Sequence, residues 1–244
     1  MAQNGHRLNG QRVAVLAADG FEYVELSVPV AALRAAGAKT EVVSLHAGKI
    51  RGMNLTEPTR SVRVDRTLDT ADAADYDALL LPGGFIGPDF LRQSQLAREF
   101  VTAFDRANKP IATLCHGPLL LISAELVTGR RLSAWPGIRE DIVHAGGIWR
   151  DEPLVRDQNW VTSRGPEDMA EFVEGMLLCF AQSPEELLAS RISFDANMAR
   201  ASSPKRDEPP RIAVGAARLP PGPALPAMAG LAAGAALGAL LRAR

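Results

Sequence analysis

Lys109-Pro110-Ile111-Ala112-Thr113-Leu114-Cys115-His116-Gly117-Pro118 is the stretch on which the fold turns. A short apolar run ends in a cysteine directly before His, Gly and Pro, and a helical pattern follows from Leu119 to Leu126. The string reads as a strand-to-helix elbow that holds its central residue in a sharp turn, with the sulfur outside the sheet edge. Backbone N–H groups of the following helix would point at the thiol, and the helix dipole would favour thiolate. The competing reading is a buried cysteine closing a core strand, because free Cys packs as a small hydrophobe.

Working outward, apolar runs alternate with helical periodicity from Arg12 to about Gln182. Arg12–Ala18 and Lys39–His46 read as strands, and Val24–Ala36 as a helix closed by Gly37. Ser61–Leu68 alternates like a half-exposed strand or hairpin arm, Asp77–Leu81 is an apolar strand stopped by Pro82-Gly83-Gly84, and Ser94–Ala107 is helical. Leu132–Trp135 reads as a further strand, followed by a short helix after Gly137, β-type segments near Leu154 and Trp160, and a helix over Pro166–Gln182. Strands alternating with helices imply βαβ units and a mainly parallel sheet covered on both faces. Functional groups then gather at the carboxyl ends of the strands.

Residues 12–182 form the expected catalytic domain, followed by a helical extension over 183–201 that opens with Ser183-Pro184-Glu185-Glu186, an N-cap and charged first turn. Residues 202–223 shift to Pro, Arg, Ala and Gly and read as a linker. Residues 224–244 are rich in Ala, Gly and Leu, with Gly230, Gly234 and Gly238 four apart. This tail is either low-complexity chain or a membrane or self-association helix, since small residues at that spacing let helices approach closely.

The 244 residues carry a net charge of −1 and no Lys/Arg-rich run, which argues against a nucleic-acid partner. The two cysteines, Cys115 and Cys179, cannot build a disulfide framework, and no Cys/His spacing suits zinc, so no metal is expected. Met1–Gln11 lacks the apolar core of a secretory signal, so the expected compartment is the cytoplasm.

Three strings can reach Cys115 in this architecture. Glu22 and Glu25 follow the first strand, where either serves as a first-turn carboxylate and an acid in that loop can approach the sulfur. Gly83-Gly84 lets backbone come close to a substrate, and an exposed N–H there could pair with that of His116 around an oxyanion. His116 could act as base or acid if a carboxylate turned its ring, and Asp89 is the candidate, from the same chain or a neighbouring subunit. Cys179 falls on an apolar helix stripe and reads as core, and Trp135, Trp149 and Trp160 either wall the cleft or fill core.

Phe21-Glu22-x-x-Glu25-Leu26, Asp77 to Gly84, Ala112 to Pro118, Pro136 to Asp141 and Trp160 to Arg164 occur in this order. Together they resemble the PfpI intracellular cysteine protease family of the ThiJ/PfpI superfamily, which is similar in fold to class I glutamine amidotransferases. The resemblance implies a flavodoxin-like three-layer α/β sandwich with Cys115 as nucleophile, Glu22 bonded to its sulfur and His116 completing the site. It also implies an oxyanion hole from the amides of Gly84 and His116, and no cofactor. Asp89 of a neighbouring subunit would orient the histidine in a dimer or larger ring, although the family usually carries Glu there. The implied activities are protease or amidase action on proteins and peptides, or removal of glyoxal and methylglyoxal adducts from proteins. Glutathione-independent glyoxalase activity on small dicarbonyls, or a redox-responsive chaperone role, are the alternatives.

Overall fold

The computed structural model describes residues 8–183 and 185–187. In chain order the elements are β1 Arg12–Leu16, β2 Phe21–Glu22, α1 Tyr23–Ala35, β3 Lys39–Ser44, β4 Lys49–Asn54, β5 Glu57–Arg63, β6 Arg66–Thr67, β7 Ala78–Leu81, α2 Gly87–Gln93 and α3 Gln95–Arg106. There follow β8 Ile111–Leu114, α4 Pro118–Ser123, β9 Arg131–Leu132, α5 Arg139–His144, β10 Ile148–Trp149, β11 Val155–Asp157, β12 Trp160–Ser163 and α6 Met169–Phe180.

Seven strands form the main sheet in the order β11-β12-β8-β7-β1-β3-β6. All neighbours are parallel except β11 and β12. Counting only β1, β3, β7, β8 and β12, the strand order is the doubly wound 2-1-3-4-5 of the flavodoxin-like fold, whose switch point lies between β1 and β7. Alternation along each strand divides the core. Val13, Val15, Ala78, Leu80, Ala112 and Leu114 pack toward α1 and α6, whereas Ala14, Leu16, Leu79, Leu81 and Ile111 pack toward α3 and α4. Continuously apolar strands follow from burial on both faces.

Two segments differ from the sequence reading. The alternating run at Ser61–Leu68 is two pieces, the end of β5, which is the second arm of a β4–β5 hairpin beginning at Lys49, and β6, which joins the main sheet beside β3; the polar, half-exposed first arm is hidden from a search for apolar strands. Only Arg131 and Leu132 of the region 131–135 are paired, with β10, because Trp135 turns away into a 3-10 turn at Pro136–Ile138. At the C-terminal side, Ser183 and Glu186 bond reciprocally, Glu186 N–H to Ser183 Oγ at 3.2 Å and Ser183 N–H to Glu186 Oε2 at 2.8 Å, a capping box. Residues 188–201 of the expected extension, the linker 202–223 and the tail 224–244 lie outside the described residues. Among the described residues no helix is long and apolar enough to cross a membrane.

A buried ion pair ties the lower end of this assembly. Arg130 Nε lies 3.1 Å from Asp157 Oδ1, its Nη2 donates to Asn159 Oδ1 at 3.0 Å, and its guanidinium stacks 3.9 Å from the Trp160 ring centroid. Removing Arg130 leaves the buried Asp157 carboxylate to Arg131 alone, whose N–H donates to Oδ2 at 2.8 Å and whose Nε stands at 3.6 Å, and takes the guanidinium from Asn159 and Trp160 as well. Arg130→Ala is therefore expected to lose about 3–5 kcal/mol of stability in urea unfolding. A loss within surface-substitution range, below about 0.5 kcal/mol, contradicts this account.

Candidate active site

The ends of β1, β7 and β8 meet at the switch point, and each delivers part of one site. Cys115 follows β8 directly and takes φ +57, a left-handed conformation rare for a residue with a side chain. Four hydrogen bonds hold it there. Cys115 N–H donates to Ser163 O at 3.2 Å and Trp135 N–H donates to Cys115 O at 3.0 Å. Gly117 N–H donates to Leu114 O at 2.9 Å, and Thr113 Oγ1 donates to Leu81 O at 3.0 Å. The elbow read from the sequence is present, and the sulfur's residue is only 4% exposed.

The carboxyl group beside the thiol belongs to Glu25. Glu25 is fully buried, hydrogen-bonds the Cys115 side chain, and accepts the Gly83 N–H on Oε2 at 2.7 Å. Glu22, expected in that place, points elsewhere. Its Oε2 accepts the Leu55 N–H at 2.7 Å, its carboxylate also accepts the Val24 N–H, and it thereby secures the tip of the β4–β5 hairpin. The physical reason lies in the chain direction. Glu22 precedes α1 and is still extended, at φ −73 and ψ 117, whereas Glu25 sits in the first turn on the face that carries buried Val28 and Pro29. Helical side chains lean toward the N-terminus, which brings a first-turn residue back to the sheet edge. An acid on an otherwise apolar helix stripe was the available signal.

Gly83 and Gly84 are required by space and by backbone. A Cβ on Gly83 would lie 2.7 Å from Cys115 Cβ, 2.7 Å from Glu25 Oε2 and 2.8 Å from the His116 nitrogen. Gly84 has φ +106, and its N–H donates to the Cys115 sulfur. Among the described residues the His116 N–H has no acceptor, so two amides converge on the space beside the thiol.

His116 stands closer to the sulfur than adjacent residues in an elbow usually do, with Nδ1 at 3.2 Å from Sγ. Its ring is packed by Phe85 at 4.8 Å and Trp135 at 5.7 Å between centroids. The same-chain role considered for Asp89 is not present. Asp89 is exposed on α2, where its carboxylate accepts from Gln93 Nε2 at 3.2 Å. Cys179 is buried in the core, as are Trp149 and Trp160, whereas Trp135 walls the site.

The protonation pattern follows from burial. Desolvation, then the neighbouring Glu22 carboxylate, push Glu25 far above the usual carboxylate range, so Glu25 holds its proton. Desolvation, then a charged Glu25, push the thiol upward, while the Gly84 N–H works in the other direction. Once Glu25 is protonated its charge no longer opposes the thiolate, and its O–H becomes a donor to sulfur. The thiolate expected from the helix terminus is thus not the resting form. The helix α4 spans only Pro118–Ser123, too short to outweigh burial. His116 is pushed down to about 4 by burial and is neutral at physiological pH. Among the described residues no cluster of three or more His, Cys, Asp or Glu is placed to hold a metal.

A doubly wound sheet with a cysteine elbow at its switch point, a buried acid behind the sulfur and an imidazole beside it defines the nucleophile-elbow class of α/β proteins. The DJ-1/PfpI family profile matches residues 11–178, and the chain belongs to that family. It is 40% identical over 167 residues to Deglycase PfpI of Pyrococcus furiosus, covering 67% of this chain and 98% of that one. It is 38% identical over 164 residues to Protein/nucleic acid deglycase 2 of Escherichia coli, covering 66% and 93%. YraA of Bacillus subtilis, whose name carries a provisional cysteine protease assignment, is 39% identical over 163 residues, covering 66% and 94%. Among solved structures, Drosophila melanogaster DJ-1beta superposes with a TM-score of 0.64 at 25% identity, covering 75% of this chain and 96% of that one.

Two consequences separate the glutamates. Glu25→Ala removes the donor to sulfur and is expected to raise the pH midpoint of Cys115 alkylation by iodoacetamide by about 1 unit, whereas Glu22→Gln removes only a nearby like charge and should move it the other way, downward. An upward shift in Glu22→Gln with none in Glu25→Ala would return the acid's place to Glu22. Glu22 itself is raised by burial to about 7. A carboxyl whose folded value exceeds its unfolded one binds its proton more tightly in the folded state, so stability falls as pH rises from the ordinary 4.5 to about 7. Wild type should lose up to about 3 kcal/mol across that window through this group, and Glu22→Gln should flatten the profile.

Proposed function

We propose that the chain is a cysteine-dependent, cofactor-free hydrolase acting on proteins or peptides, with removal of carbonyl-derived adducts from amino groups as its leading activity. The observation that carries this reading is the contiguous Glu25–Cys115–His116 contact at the elbow, with the Gly84 and His116 amides converging beside the sulfur. The relatives named as deglycases support the substrate class.

The chemistry runs on three groups. As Cys115 Sγ forms a bond to the electrophilic carbonyl carbon, its proton passes to the neutral Nδ1 of His116. The electron pair displaced onto the carbonyl oxygen is received by the Gly84 and His116 amides, which form the oxyanion hole. An imidazole pushed down to about 4 is a weak base but, once protonated, a strong acid, so as the oxyanion re-forms the C=O and the carbon–nitrogen bond breaks, the same proton is handed to the departing amine. Water then attacks the carbon held on sulfur, the carbon–sulfur bond breaks, and His116 carries the water's proton back to Sγ, which releases the acid product and restores the thiol. Glu25 keeps its own proton throughout and donates to the sulfur, which supports negative charge without placing a carboxylate beside it.

The test compares wild type with Cys115→Ala on a methylglyoxal-treated peptide, a fluorogenic peptide and free methylglyoxal, the last followed by lactate formation. Release of amine from the treated peptide should fall at least about 1,000-fold in Cys115→Ala. Lactate formed from free methylglyoxal with no release from peptide identifies a glyoxalase instead. Unchanged turnover in Cys115→Ala removes the cysteine mechanism.

A further inference from the structure

Arg164 follows Ser163, the last residue of β12 and the one whose carbonyl takes the Cys115 N–H at 3.2 Å. Its guanidinium forks on Asp168, with Nε donating to Oδ2 and Nη2 to Oδ1, both at 2.7 Å, and Nη1 reaches Asp151 Oδ1 at 3.0 Å. Two parallel N–H bonds to one carboxylate are a geometry that a lysine ammonium cannot reproduce. Asp168 forgoes another role to take part. It stands at the N-cap of α6, where an aspartate ordinarily accepts a helix amide, yet its side chain makes no cap bond and both oxygens go to Arg164.

The segments joined by this clamp are those that grip the elbow. Asp151 lies between β10 and β11, and two serines fasten that stretch: Ser133 Oγ donates to Arg150 O at 3.1 Å and to Glu152 O at 2.6 Å, and Ser163 Oγ donates to Pro153 O at 2.7 Å. Ser133 stands two residues before Trp135, whose N–H donates to the Cys115 carbonyl at 3.0 Å. Gly165, next after Arg164, lies against the indole, where a Cβ would stand 3.5 Å from Trp135 Cε3. The Ser163 carbonyl and the Trp135 N–H thus belong to different chain segments, and Arg164 ties the first to the stretch that secures the second. Cys115 at φ +57 stays in place only while both hold.

We propose that Arg164 is a positioning residue for the nucleophile: its fork on Asp168 and its bridge to Asp151 hold the Ser163 carbonyl and the Trp135 N–H at the spacing that keeps Cys115 in its left-handed turn. The proposal rests on reading Cys115 as the reacting atom, but its readouts need no turnover, so the two can fail separately. The Arg164 and Asp168 side chains are 18% and 8% exposed, so water and salt compete little for the fork. Arg164 acts through the backbone that its clamp fixes.

The experiment follows amide hydrogen exchange by NMR of the full chain in wild type, Arg164→Lys and Asp151→Asn, together with the pH profile of Cys115 alkylation by iodoacetamide. The Ile111 N–H, bonded to Asn159 O at 2.9 Å at the far end of β8, is the internal control. In Arg164→Lys, which keeps the charge and loses the fork, the Cys115 and Trp135 N–H groups should exchange at least about 10-fold faster while Ile111 stays within about 2-fold. The alkylation midpoint should fall by about 0.5 unit or more toward the ordinary thiol range, because a loosened elbow lets water reach a sulfur that burial holds high. Asp151→Asn cuts only the outer arm, should give the same pattern at about 3-fold, and decides the matter if Arg164→Lys does not fold. Equal acceleration at Cys115 and Ile111 makes the clamp merely structural and overturns the proposal, as does unchanged exchange at Cys115. An alkylation profile that stays in place in a variant whose Cys115 N–H has loosened overturns it as well.

Discussion

The structure depends on one residue being held where it does not prefer to be. Left-handed backbone at a residue with a Cβ costs of the order of 1–3 kcal/mol, and Cys115 at φ +57 persists because its neighbours over-determine it. The carbonyl of Ser163 at the end of β12 and the N–H of Trp135 grip its two peptide groups, so the adjacent strand and the segment after β9 both contribute to the turn. Gly117 permits the next step, since a Cβ there would meet Thr113 Oγ1 at 2.2 Å and Leu81 O at 2.8 Å. The sulfur therefore stands still against a rigid parallel sheet, which is what a reacting atom requires.

That rigidity sets the electrostatics. A thiol this close to the core loses hydration, and the charges that act on it most are the carboxylates of Glu25 and Glu22, so neither sulfur nor acid ionises freely. The acid, more deeply buried and beside Glu22, keeps its proton, and the sulfur is left with donors on its carboxyl and amide sides and an imidazole nitrogen on the other. The pair titrates as a unit rather than as two independent groups.

Much of this was legible before any coordinates. The alternation of apolar runs and helical patterns gives the parallel sheet, and Leu114-Cys115-His116-Gly117-Pro118 marks the elbow, because strand, turn and helix signals coincide there. Gly83 and Gly84 were also placed, since a strand stopped by Pro82-Gly83-Gly84 has to turn at the same sheet edge. The choice between Glu22 and Glu25 is legible only in part: Glu25 shares the helix face of Val28 and Pro29, but whether the backbone has already entered the helix at Glu22 is not carried by the spacing. The β4–β5 hairpin was missed over Lys49–Asn54 for a related reason. Its residues are polar and half-exposed, and it is held in part by bonds to Asp19 and Glu22, which local patterns do not contain. The ionisation of Cys115 is not legible in the sequence, because a helix terminus is visible there and the depth of burial is not.

The parts of the site have different origins, and this bears on specificity. Cys115, Glu25 and the Gly83-Gly84 turn are set by the sheet and by α1, and changing any of them changes the core around it. Phe85 and the exposed side chains of Ile86 and Phe90 beside it come from the loop after β7 and the exposed side of α2, where replacement costs the fold little. In folds of this kind chemistry is carried by the frame and recognition by the loops at the carboxyl edge. These exposed apolar side chains are thus where this chain can diverge from relatives that share its frame. Phe85 touches the imidazole and faces solvent at once, so the exposed loop after β7 meets the buried frame at this ring.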